Sequence, residues 1–109
     1  MNRVIITHKI VKCIVALRAV DSLLDFTASN DLEHARKSLE YALDGNLDHF
    51  PVEDIRNHIQ NAKRIVVLVH KRLKETYKPE YISDILHSTE WVTEQLVHVV
   101  IELDSAGRK

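Results

Sequence analysis

Along most of this chain apolar residues recur three and four apart, the period of an α-helix with one face turned to a core. Ile55, Ile59, Ala62, Ile65, Val66, Val69 and Leu73 make one such stripe. Ile82, Ile85, Leu86, Val92, Leu96, Val99, Val100 and Leu103 make another. Near the N-terminus Ile6, Ile10, Cys13, Ile14, Leu17, Val20 and Leu24 make a third. The same N-terminal segment carries a second apolar strip, Val4, Val11, Val15, Ala19 and Phe26, which lies more than ~90° round the helix from the first. Such a helix is either contacted on two sides within its bundle, or it packs inward with one face and against a second copy of the chain with the other. A long exposed apolar strip on so small a bundle favours the second, so these five residues are assigned to an oligomer interface.

Punctuation divides the pattern into four helices. The first is expected over residues 4–27. The second begins after Ser29-Asn30-Asp31, with Asn30 as its cap and Glu33 three residues on, and ends near Gly45. The third opens at Pro51, where Glu53 and Asp54 complement the positive helix end, and runs to about Tyr77. The fourth opens at Pro79-Glu80 and runs to about Asp104. Three helices are then long, each over ~30 Å at the helical rise, and the second is short. Short connections force antiparallel neighbours. The fold predicted is an all-α, up-and-down bundle of four antiparallel helices, a single domain over residues 1–109, assembling into an oligomer.

Composition agrees: 45% of residues are hydrophobic and 28% charged, as in a globular protein, and two glycines leave no room for a phosphate-binding loop. The lone Cys13 forms no internal disulfide. Lys9, Lys12 and Arg18 break the N-terminal apolar run below membrane-spanning length, and no secretory signal is legible. The expected location is therefore cytoplasmic, without membrane contact.

The net charge of -1 conceals blocks. Residues 1–18 hold four Lys or Arg and no acid; residues 19–54 hold nine acids and two bases. Residues 55–78 hold seven bases and one acid, and residues 79–107 six acids and no Lys or Arg. The plain consequence is a basic third helix packed beside an acidic fourth, a pattern that chooses neighbours more than it stabilises. The basic back of the third helix, Arg56, Lys63, Arg64, Lys71 and Lys74, lacks the interleaved aromatics of a nucleic-acid surface, so nucleic acid is possible but not favoured. Val67 and Leu68 interrupt that basic back and need a cover.

Seven histidines raise the question of a metal. Asp31 and His34, Asp54 and His58, and Glu94 and His98 have helical ligand spacing, but the paired Glu-x-x-His of di-iron bundles is absent, and no metal or cofactor is expected. The Arg64-x5-His70 spacing resembles the loose arginine–histidine motif of HEPN-type ribonucleases, which are also small helical bundles. Ile65 stands where that motif usually has a polar residue. Six helical residues also set the two side chains about 120° apart, so family membership is not assigned. Cys13 lies in the core stripe and reads as a small apolar residue rather than a nucleophile.

Trp91 is the most informative single residue. It lies about 180° round its helix from Ile82, among His87, Gln95 and His98, where a large rigid side chain anchors a partner or a planar ligand. The function expected is that of a small, non-enzymatic regulatory or adaptor protein, acting as a homo-oligomer through protein–protein contacts. The partner-binding residues are Trp91, His87, Gln95, His98, Arg64, Val67, Leu68 and Lys71. The alternatives are a small RNA-binding or RNA-cleaving protein using Arg64 and His70, and a bundle that senses a nucleotide or small molecule near His87, Trp91 and His98.

Overall fold

The computed structural model describes residues 3–21, 26–44 and 52–107. They form four helices: α1 (Arg3–Asp21), α2 (Phe26–Asp44), α3 (Val52–Thr76) and α4 (Ser83–Gly107), with a 3-10 turn at Pro79–Tyr81. Among the described residues there is no strand. Each helix packs on its neighbours in the chain, and α4 returns to α1 to close a ring. Polar contacts fix the register and the sense. Arg18 meets Glu40 and Arg36 meets Asp21 between α1 and α2. Asn61 meets Ser38 and Arg72 meets Asp31 between α2 and α3. Arg56 meets Asp104 and His70 meets Thr89 between α3 and α4. In every pair the numbers run in opposite directions, so neighbouring helices are antiparallel, in a rod of 46 × 20 × 19 Å.

The helix lengths correct the sequence expectation. α1 and α2 are each 19 residues and α3 and α4 each 25, so there is no single short member. α1 stops at Asp21, and Phe26 opens α2. Phe26 therefore cannot belong to the outer strip of α1; its side chain and that of Leu24 lie outside the described residues. Asn30, expected as a cap, sits inside α2. The run that suggested a cap uses its side chains in tertiary bonds instead: Ser29 donates to Asp21 on α1, and Asp31 accepts from Arg72 on α3. Those bonds compete with local capping and hold the extra turn in the helix.

Pro79 also acts one step earlier than expected. Lys78, just before it, is extended with φ -68° and ψ 130°, as a residue preceding proline prefers, and this ends the α3 segment. Pro79 opens the 3-10 turn, closed by Tyr81 N–H to Lys78 O and Ile82 N–H to Pro79 O. α4 follows from Ser83, its ladder begun by Leu86 N–H to Ile82 O at 2.9 Å.

The core is the meeting of the predicted stripes. Of the α1, α3 and α4 stripe residues within the described part, all are buried except Ile65 and Leu86, which are half-buried at the edge. α2 contributes Leu32, Ala35, Leu39 and Ala42, where small alanines let the helix approach its neighbours. Among the described residues two polar side chains are buried with this core. Ser38 accepts from Asn61 at 2.9 Å, and Thr89 takes a stripe position on α4 between Ile85 and Val92.

Candidate functional site

The six interhelix bonds that set the register also sort each helix surface into flanks. On α4, Thr89, Thr93 and Asp104 look to α3. A step of 100° per residue then places Trp91, Gln95 and His98 on the opposite flank, which looks to α1. On α1, Arg18 and Asp21 look to α2, and the opposite flank, with Ile5, Lys12 and Ala19, looks to α4. Of the outer α1 strip, Ala19, with Val15 at the corner, shares that side with the aromatic patch of α4, whereas Val4 and Val11, fourteen and seven residues before Arg18, lie on its flank toward α2. Val4 is 79% exposed, Val15 60% and Trp91 38%, and Val11 and Ala19 are exposed as well. His87 and His98 are exposed beside Trp91, and Gln95 is half-buried. Trp91 is at the flank of the α4 core stripe rather than diametrically opposite it, because the stripe centres on Val92 and Leu96 and not on Ile82.

The α3 residues expected to bind a partner lie elsewhere. Arg64 is exposed at the outer corner of α3, its guanidinium donating to Asn61 at 2.8 Å, and Lys71 is exposed on the same back. Val67, 43% exposed, lines a shallow groove of about 600 Å³ between α3 and α4 with His70, Glu90, Thr93 and Glu94. The acids of α4 are therefore its neighbours. Leu68, 52% exposed, falls on the flank toward α2. The eight residues expected to bind a partner are thus spread over three sides of the rod, with the Trp91 group on one of them.

The groove has one well-defined polar centre. Thr89 Oγ1 is 2.6 Å from His70 Nδ1 and also within 3.1 Å of the Ile85 and Leu86 carbonyls. The His70 Nδ1–Thr89 Oγ1 bond takes its direction from the imidazole tautomer, and the carbonyls compete for the same hydroxyl proton. His70 is tied to α4 in this way while Arg64 is turned to its own helix, so within one chain the two do not converge. Among the described residues no three His, Cys, Asp or Glu are placed to hold a metal. Asp31 is taken by Arg72, and His58 stacks at 5.8 Å on Tyr41. Burial raises the Cys13 thiol from 9.0 to about 12, which keeps it protonated and unreactive.

Charge segregation forms fewer bonds than the blocks suggest. Among the described residues α3 and α4 share one ion pair, Arg56–Asp104 at 2.6 Å, with both side chains over a third exposed. Such a pair contributes little. Lys63, Lys71 and Lys74 join no described ion pair, and neither do Lys12, Glu90, Glu94 or Glu102. None of the described helices is long and apolar enough to cross a membrane.

No family model, curated protein or solved structure matches this chain.

Proposed function

We propose that this protein is a small regulatory or adaptor bundle that works without chemistry of its own, through protein–protein contacts, as a homo-oligomer in the cytoplasm. One observation carries this: Ile5, Val15 and Ala19 of α1 are exposed on the side of the rod where Trp91 stands half-open on α4. Aliphatic side chains left in water on adjoining helices gain by association, at about 25 cal/mol per Å² covered, and a tryptophan is the side chain most often found at the centre of such contacts. The groove at His70 supports an enzyme less well, since its imidazole is held by Thr89 and flanked by carboxylates rather than by a nucleophile or an oxyanion donor.

Light scattering on the eluted protein tests the oligomer. The mass expected at micromolar concentration is at least twice the 12.6 kDa of one chain. A mass of one chain that persists up to about 100 μM, where even a weak dimer would form, removes the proposal.

A further inference from the structure

Ile5, Lys12 and Ala19 are seven apart on the flank of α1 that looks to α4, with Val15 at its outer edge. Carried round the ring, the bonds Arg18–Glu40, Asn61–Ser38 and Arg56–Asp104 set Lys12 about one and a half turns from the level of Glu102. The two halves of this side have opposite charge. On this side α1 presents Lys12 and α4 presents Asp84 and Glu102, whereas Arg18 turns to α2 and Glu90, Glu94 and Asp104 turn to α3. Lys12 and Glu102 are both exposed, and neither joins a described ion pair.

A second copy of the chain fits this side, and only one way of stacking satisfies the charges. If α1 lay on α1 and α4 on α4, cations would meet cations and acids would meet acids. A two-fold axis running along the rod within the contact plane instead brings α4 of one copy onto α1 of the other, twice, in the antiparallel sense the helices already have. One side of the rod measures 46 × 20 Å, roughly 900 Å² in projection, which meets the ~800 Å² per partner of a standard interface.

We infer that the α1–α4 side is an isologous homodimer face on which α1 of each copy lies across α4 of the other. Lys12 opposes Glu102 of the partner subunit, Val15 and Ala19 cover the turn at Gln95, and Trp91 closes the end of the contact. This rests on the homo-oligomer proposal and adds its symmetry and charge pairing.

The test uses the full chain with Lys12→Glu and Glu102→Lys made singly, and reads the dimer dissociation constant by sedimentation or light scattering. Each variant places like charges together at both symmetric contacts, so each raises the constant about tenfold or more while leaving the melting temperature of the monomer fold unchanged. Mixed in equal amounts, the two variants pair with each other at close to wild-type affinity, because every contact in the mixed dimer is again of opposite sign. An ion pair within one chain cannot give that recovery.

If the unaltered chain is a monomer at about 100 μM, both the oligomer proposal and this arrangement fall. If it dimerises and neither variant changes the affinity, the oligomer stands and the α1–α4 face is overturned. If each variant weakens the dimer and the mixture stays as weak as its components, the cross-packing of α1 on α4 is overturned.

Discussion

Thr89→Val removes one hydroxyl from the middle of the core at nearly constant volume, and its cost can be worked from the bonds. Thr89 is fully buried, and its hydroxyl bonds His70 Nδ1 at 2.6 Å and lies within 3.1 Å of the carbonyls of Ile85 and Leu86. The carbonyls keep their backbone partners when the hydroxyl goes, so that loss is small. The lost bond to His70 crosses from α4 to α3 and contributes about 1 kcal/mol net. His70 is only half-buried and can turn its freed ring nitrogen to water in the groove, so no full penalty for a buried unpaired group is added. The expected loss is therefore about 1 kcal/mol for Thr89→Val, and about 2 kcal/mol for Thr89→Ala, which also leaves a methyl-sized void. His70→Ala leaves Thr89 satisfied by its own helix. The coupling energy in the Thr89→Val, His70→Ala cycle should then be about 1 kcal/mol. Urea unfolding followed by the fluorescence of the lone Trp91 on the same helix measures all four corners. A coupling below ~0.3 kcal/mol would mean that the bond links the helices without stabilising them, and the reasoning from geometry to energy fails.

Three further outcomes follow from the same structure. Cys13, with its thiol raised from 9.0 to about 12 by burial, stays protonated in the fold while the unfolded chain ionises above pH 9. Stability should fall as pH rises from 9 toward 12, by up to about 1.4 kcal/mol per pH unit, and Cys13→Val should remove that part of the slope; equal slopes for the two proteins would refute it. Asp21→Ala strips the carboxylate from Arg36, whose side chain is only 17% exposed, so it should lower stability by about 2–3 kcal/mol in thermal unfolding. Asp21→Asn, which still accepts from Ser29, should cost less. The purified protein should leave mixed RNA uncut, and Arg64→Ala should change no binding that survives physiological salt; cleavage abolished by His70→Ala would instead favour the ribonuclease alternative.

Much of the fold was legible in the chain because burial follows the helical period. The three long stripes pick out the core of α1, α3 and α4, and antiparallel order follows from short connections. The boundary between α1 and α2 was not legible. Ser29-Asn30-Asp31 looks like a helix start, but Ser29 and Asp31 are engaged by Asp21 and Arg72 on other helices. Thr89 was missed for a related reason: a polar residue in an apolar stripe carries no signal until His70 of another helix is placed beside it. Pro79 did mark an element end, but local sterics on Lys78 made it the close of α3 and a 3-10 turn before they allowed α4.

The candidate site divides in the same way. The sequence determines that Val4, Val11 and Val15 leave the core face of their helix and that Trp91 leaves the α4 stripe, because each is a matter of angle within one helix. Which of them shares a side with Trp91 depends on which flank of α4 faces α1, and that is set by Arg56–Asp104 and His70–Thr89 on the other flank. Periodicity within a helix is a local property and can be read from the chain. The rotation of one helix against another is fixed by side chains far apart in sequence, so only the closed ring could place Lys12, Glu102 and Trp91 on one side.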